Sequence, residues 1–184
     1  MGFHTFPIER ADALEDPSRY RFCSREELLE LLAVDTDATV ADLGSGTGFY
    51  SREIAPFVAT LYAIDLQAAM HARHRAAGLA QNVVPLTAAV DSLPFDDGAL
   101  DAAVSTMTHH EYADEATLAE LARVIRPGGP LVTVDWSATG TGEDGPPLEE
   151  RFTPDEVVGH LETAGFTLER VHDRPETLAV VARR

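Results

Sequence analysis

One heptapeptide limits the fold more than any other part of the chain. Asp42-Leu-Gly44-Ser-Gly46-Thr-Gly48 stands between an apolar run, Thr39-Val-Ala-Asp-Leu43, and a helix that begins near Phe49. Glycines in that place permit a tight strand-to-helix turn and close approach of a ligand to the backbone. Asp65 ends the next apolar run, Thr60-Leu-Tyr-Ala-Ile64, and lies 65 − 44 = 21 residues beyond the first glycine. That is near the roughly 20 residues that separate a glycine turn from a ribose-binding acid in open α/β sheets. The spacing is G-x-G-x-G rather than the G-x-G-x-x-G of dinucleotide binders. Asp42, two residues before the first glycine, sits badly with bound phosphate; it suits a cationic ligand or the backbone of the loop itself. The expected ligand is a nucleoside without a pyrophosphate.

The remaining pattern extends the same architecture. Ser24-Arg-Glu-Glu27 reads as a capping box, with Glu27 reaching back, ahead of a helix whose leucines Leu28, Leu29, Leu31 and Leu32 form the buried stripe. Helices are expected over Gln67 to Ala77, Asp114 to Ile125, and from Pro154, capped by Thr153, to Gly165. Strands are expected over Asn82 to Thr87, Asp101 to Ser105, Pro130 to Asp135, Phe166 to Val171 and Thr177 to Ala182. Strands alternating with helices specify an α/β fold with a mostly parallel sheet. The last two strands are too close for a helical crossover and form an antiparallel hairpin. The expectation is five helix-connected strands, then the hairpin, in one domain over 1–184: an arm or lid over 1–24 and a core over 25–184. The Gly- and Pro-rich stretch Thr139 to Pro147 is a loop.

Composition narrows the function. The chain has 184 residues, 31 acidic and 14 basic, and a net charge of −17. All 14 basic residues are arginine, and the absence of lysine removes a phosphate loop of the G-x-x-x-x-G-K type. The charge opposes a nucleic-acid partner. No apolar run reaches the roughly 18–20 residues of a membrane span, and Met1 to Arg10 lacks a signal-peptide pattern. One cysteine, Cys23, excludes an internal disulfide and suits a reducing, cytoplasmic setting. An acidic, lysine-free surface fits work in concentrated salt; codon bias toward arginine is the alternative, but it does not explain the acidic excess.

At these residues the chain resembles the class I S-adenosylmethionine (SAM)-dependent methyltransferases, from about Asp16 to Arg183. It is most similar to the small type 11 group, related to ubiquinone- and menaquinone-biosynthesis methyltransferases. The matching stretches are Val40-Ala-Asp-Leu-Gly-Ser-Gly-Thr-Gly-Phe49, Ala63-Ile-Asp-Leu66, Leu93-Pro-Phe-Asp-Asp-Gly98 and Leu121-Ala-Arg-Val-Ile-Arg-Pro-Gly-Gly129. The resemblance implies a Rossmann-like open sheet of seven strands with helices on both faces, SAM as cofactor, and a small-molecule methyl acceptor. Among the cofactor-binding residues it implies, Gly44, Ser45 and Gly46, with Asp42 before them, line the methionine moiety. Asp65 takes the ribose hydroxyls, and Leu66 lies against adenine. Val90 and Asp91 border the adenine edge, with Ala89 standing where many relatives carry an acid. Thr106 and Met107 face the methionine end.

Methyl transfer from a sulfonium needs positioning and desolvation, and a base only if the acceptor must lose a proton. His110, after strand four, is the candidate base, with Glu111 orienting it; the alternative is a histidine that holds its loop by hydrogen bonding. His109 is expected to be structural or solvent-facing. Trp136 is either an aromatic wall for the acceptor or a packing residue beneath the Thr139–Pro147 loop. Arg151 either holds an anionic substrate or joins a surface ion pair with Glu149, Glu150 or Asp155. His71 and His74, three apart, read as a solvated helix face rather than metal ligands. Tyr20, Phe22 and Cys23 lie in the arm that would close over the cofactor. Ser105-Thr106-Met107-Thr108 is not the Asn-Pro-Pro-Tyr loop used for planar amino groups, which opposes an adenine or glutamine-amide acceptor. Two alternatives of other classes are a SAM-binding regulatory or scaffold protein without turnover and a nicotinamide-dependent oxidoreductase.

Overall fold

Apolar side chains alternate between two cores because both faces of one sheet are covered. The computed structural model describes residues 5–184; the first four residues of the expected arm lie outside the described residues. The strands are β1 (Thr39–Leu43), β2 (Thr60–Asp65), β3 (Val83–Thr87), β4 (Ala102–Thr106), β5 (Pro130–Trp136), β6 (Thr167–Asp173) and β7 (Thr177–Arg183). Their order is β3-β2-β1-β4-β5-β7-β6, parallel through β5, with β7 antiparallel to both of its neighbours. The seven-stranded, mostly parallel sheet with its terminal hairpin is the expected one.

The helices are α1 (Arg25–Leu32), α2 (Phe49–Ile54), α3 (Ala68–Ala77), α4 (His109–Tyr112), α5 (Glu115–Val124) and α6 (Pro154–Thr163). Val40, Val104, Val132 and Val181 pack with Leu28 and Leu32 of α1 and Ile54 of α2. Ala41, Ala103, Leu131 and Val180, one residue away along each strand, pack with Leu121 of α5 and Leu161 of α6. This period of two is what a strand buried on both faces requires. Each fully buried leucine contributes on the order of 1.5–3 kcal/mol.

Local chemistry explains the helix starts. Asp114 accepts a hydrogen bond from the Thr117 N–H at 2.8 Å, and Thr153 with Glu156 completes a capping box on α6. The box expected at α1 forms by half. Ser24 Oγ accepts from the Glu27 N–H at 3.2 Å, but the Glu27 carboxylate turns away to pair with Arg174. An arginine from the β6–β7 turn is a stronger partner than one backbone N–H.

Two further expectations change. The β3–β4 connection carries no helix; residues 88–101 run as an irregular loop. Pro94 and the Asp96-Asp97-Gly98 turn break any helix there, and α5 holds the loop instead. The Leu93 N–H donates to Glu120 at 2.7 Å, and Arg123 donates to the Phe95 carbonyl at 2.8 Å. Residues 8–21, expected only as an arm, form two 3-10 segments, Ile8–Glu15 and Pro17–Arg21. Among the described residues no helix is long and apolar enough to cross a membrane.

Candidate functional site

The chain order places the site. The path runs outward through β1, β2 and β3, then returns to lay β4 on the other side of β1. Open α/β sheets bind ligands at the carboxyl ends of their strands, at such a reversal. A cavity of about 580 Å³ opens there, covered by the two N-terminal 3-10 segments. Its size falls within the roughly 300–1,000 Å³ of small-molecule sites.

The glycine loop forms its floor. Gly44 and Gly48 have φ of 67° and 83°, and neither has room for a side chain. A Cβ on Gly44 would strike the Thr108 side chain, and one on Gly48 would strike the His74 ring. The Ser45 N–H donates to the Ile64 carbonyl at 2.8 Å, tying the loop to β2. Asp65, ending β2, accepts from the Gly46 N–H on Oδ2 and from the Gln67 N–H on Oδ1, both at 2.8 Å. Burial raises the Asp65 pKa above the ordinary carboxylate value, against these two hydrogen bonds, which lower it.

Gly44, Ser45, Gly46, Asp65, Leu66, Val90, Thr106 and Met107 all line this cavity. Leu66 is 48 % exposed, an apolar surface left open beside Asp65. Met107 adopts φ 60°, a strained conformation for a non-glycine residue, fixed by its N–H donating to the Val134 carbonyl at 2.7 Å. Asp91 and Asp42 do not line the cavity; Ala89 does. Asp42 is buried beneath the loop, where Ser51 Oγ donates to it at 2.5 Å. Burial pushes its pKa up to about 7. Its side chain thus meets a hydroxyl of α2 rather than a ligand or the backbone of the loop.

His110, Glu111 and Trp136 line the same cavity. The His110 N–H donates to Asp135 Oδ2 at 2.6 Å, and its Nδ1 lies 2.9 and 3.0 Å from the two Asp135 oxygens. Burial would lower the imidazole pKa, but the charge and hydrogen bond of Asp135 outweigh it, so the pKa lies above the ordinary 6.5. The orienting acid is therefore Asp135, and Glu111 stands apart as a cavity carboxyl that burial pushes up to about 7. Sequence reasoning did not place Asp135 in the site. The signal was present: β5 is β4's parallel neighbour, with Thr106 beside Val134, so the end of β5 meets the segment after β4.

Trp136 combines its two readings. It lines the cavity, yet its ring is held by Phe22, 4.7 Å away edge-on, by Gly145 against one side and by the Arg151 guanidinium at 5.5 Å. Arg151 lies outside the cavity and off the surface, its side chain 1 % exposed. It donates to the carbonyls of Pro146 (2.8 Å) and Asp144 and pairs with Glu176 at 3.1 Å, because the loop it anchors has backbone carbonyls to satisfy.

The histidines of α3 are not a solvated face. His71 and His74 are 2 % and 0 % exposed, and their ring nitrogens have no partner among the described residues. His74 fills the space that Gly48 leaves, and burial lowers its pKa to about 4. His109 is buried beside Tyr112 and Phe152, in its expected structural role. In the arm, Phe22 reaches the cavity while Tyr20 donates to Glu53 at 2.7 Å. Cys23 is buried and its thiol is pushed up to about 12, which removes it from chemistry.

The backbone cradle, a carboxylate fixed by two N–H groups and the open apolar surface at Leu66 together fit a nucleoside carrying a cationic, phosphate-free substituent. Comparison with known proteins agrees. Residues 41–133 match the family described as "Methyltransferase domain". A SAM-dependent methyltransferase of Aquifex aeolicus superposes with a TM-score of 0.87 at 31% identity, covering 97% of this chain and 98% of that one. A demethylmenaquinone methyltransferase of Mycolicibacterium gilvum is 34% identical over 64% of this chain and 50% of its own. A dimethylglycine N-methyltransferase of Parasynechococcus marenigrum is 31% identical over 76% of this chain and 55% of its own. The chain spans about half the length of the curated relatives it matches.

Proposed function

The chain belongs to the class I SAM-dependent methyltransferases of the type 11 group, and from that premise we propose that it methylates a small molecule held against His110. SAM supplies an electrophilic methyl group on a sulfonium sulfur, displaced in line by the acceptor. Gly44, Ser45 and Gly46 present backbone to its methionine part, Asp65 takes the ribose hydroxyls, and Leu66, Ala89 and Val90 flank adenine. Thr106 and Met107 bound the methionine end next to the acceptor.

The observation that carries the reading is His110, which lines the same cavity as the glycine loop and is backed by Asp135. With Nδ1–H donated to Asp135, Nε2 is the free nitrogen and takes the acceptor's proton, while the aspartate stabilises the imidazolium. The relatives named for demethylmenaquinone and dimethylglycine support a small acceptor. In calorimetry SAM should bind saturably and NAD should not. Cell extract incubated with methyl-labelled SAM should yield a labelled small molecule. Binding of NAD in place of SAM would return the oxidoreductase reading, and SAM binding without any product would favour the scaffold.

The setting is part of the proposal. We place the protein in a cytoplasm of high salt, on its single unpaired cysteine and on its charge. One-to-one pairing of 14 arginines with 31 acids leaves 31 − 14 = 17 carboxylates uncompensated. Molar salt shortens their repulsion from a range of about 10 Å to about 3 Å. Relief of several kcal/mol corresponds to a Tm rise of roughly 10 °C between low and molar KCl, at about 2–4 °C per kcal/mol for this size. A flat melting temperature across that range would remove the high-salt reading.

A further inference from the structure

Beside His110 the cavity holds two carboxylates that no arginine meets among the described residues. Of the three arginines that line the cavity, Arg21 and Arg19 hold protein partners and Arg10 lies against an aromatic ring. Arg21 pairs with Asp144 at 2.8 Å. Arg19 donates to the Leu14 carbonyl at 2.7 Å and lies 5.1 Å from the Phe49 ring centre. Arg10 lies 5.6 Å from the Phe6 ring centre. Arg151, the one arginine expected to hold an anion, is folded into its loop. Glu111 and Glu150 also line the cavity, and both act electrostatically on His110. Among the described residues neither carboxylate has a hydrogen bond or ion pair to its side chain. His110 lines the same cavity, its side chain 10 % exposed and its Nε2 without a partner among the described residues.

An anionic group brought here would face two carboxylates and, among the described residues, no arginine free to pair with it; a neutral hydroxyl could donate one hydrogen bond but would bring no counter-charge. Glu111 is half-buried and without a counter-charge among the described residues, and a cation entering beside it gains a charge-assisted partner. Resting on the methyltransferase reading above, we propose that the acceptor is a primary or secondary amine, bound as its ammonium by Glu111 with Glu150 at the rim. An N–H proton of the ammonium passes to His110 Nε2, and Asp135 stabilises the resulting imidazolium. The freed lone pair forms the N–C bond as the bond between the methyl carbon and the sulfonium sulfur breaks, its electron pair returning to sulfur. The positive charge of the sulfonium thus reappears on the methylated ammonium, still beside Glu111. Phe22 and the edge of Trp136 supply an apolar wall for the rest of the amine.

Three probes of one shape and different charge test the class: benzylamine, benzyl alcohol and benzoate, titrated calorimetrically into the protein saturated with S-adenosylhomocysteine. Benzylamine should bind about tenfold or more tightly than either of the others, the increment of one charge-assisted hydrogen bond. Glu111→Gln should abolish that preference. Glu150→Gln, on the exposed rim and without risk to the fold, should weaken it by a few fold. Equal or tighter binding of benzyl alcohol or benzoate, no binding of any probe, or a preference that survives both substitutions overturns the amine assignment. A SAM titration of the same preparations separates the failures. Intact SAM binding confines the error to the acceptor class, and its loss overturns the methyltransferase reading together with this one.

Discussion

Asp135→Asn should lower kcat by about 10²–10⁴-fold, the range that a positioned general base contributes, while SAM affinity stays unchanged. The substitution keeps the shape of the side chain and one acceptor oxygen, so the 2.6 Å bond from the His110 N–H can survive. What it removes is the negative charge beside Nδ1. Burial lowers the His110 pKa; Asp135 raises it, with smaller contributions from Glu111 and Glu150, and the raising groups prevail. Without the charge, burial prevails and the pKa falls, so the ring is a weaker base. The wild-type kcat should rise with pH through a midpoint above 6.5, because only neutral His110 can accept a proton. In Asp135→Asn that limb should move to lower pH and end on a lower plateau. His110→Ala should lose the limb altogether and also keep its SAM affinity. An unchanged plateau in Asp135→Asn, measured on the identified acceptor, would refute the role of the pair.

Linkage supplies an independent readout in the absence of any acceptor. A histidine whose pKa is higher folded than unfolded adds stability below its unfolded pKa, and that stability is lost as pH rises through the folded value. The wild type should therefore lose a component of stability above about pH 6.5. Asp135→Asn should not show this loss, since its His110 no longer has the raised pKa. Thermal melts across that interval distinguish a charge effect at His110 from general damage, which would lower stability at every pH.

What could be read from the chain, and what could not, divides by the range of the interaction that decides each feature. The glycine loop, Asp65 and the limits of β1 are set within a few residues, by φ requirements and by apolar runs, and these expectations hold. The α6 capping box is equally local. Asp135 escaped because its partner is 25 residues away and meets it only once β4 and β5 are adjacent. Glu27 left its box for Arg174, 147 residues along the chain. His71 and His74 were assigned to solvent because i, i+3 spacing shows that two residues share a helix face but not which way it points. For His74 the deciding contact is the absent side chain of Gly48. Arg151 was read against its acidic neighbours in sequence, whereas its ion-pair partner is Glu176, across the loop. Short-range chemistry thus places the glycine loop and Asp65, and the His110–Asp135 pairing becomes legible only after strand pairing.

Asp65→Ala should raise the Kd for SAM by about 10²-fold or more. Two hydrogen bonds to a carboxylate contribute about 1.5–3 kcal/mol each, and every 1.4 kcal/mol is about tenfold in affinity. The loss has two sources that must be separated, because Asp65 also holds the Gly46 and Gln67 N–H groups at 2.8 Å. Asp65→Asn separates them. It keeps one acceptor for the backbone and loses the charge, so it should lie between wild type and alanine. The raised pKa of Asp65 adds a signature that loop damage would not produce. The carboxylate must be ionised to accept from the ribose, so wild-type affinity should fall as pH drops through a value above the ordinary 3.8. Asp65→Asn should bind weakly and without that dependence. If SAM bound all three proteins alike in calorimetry, or if the acid limb persisted in the asparagine variant, the ribose contact would belong to another group. The glycine loop alone would then have to account for cofactor binding.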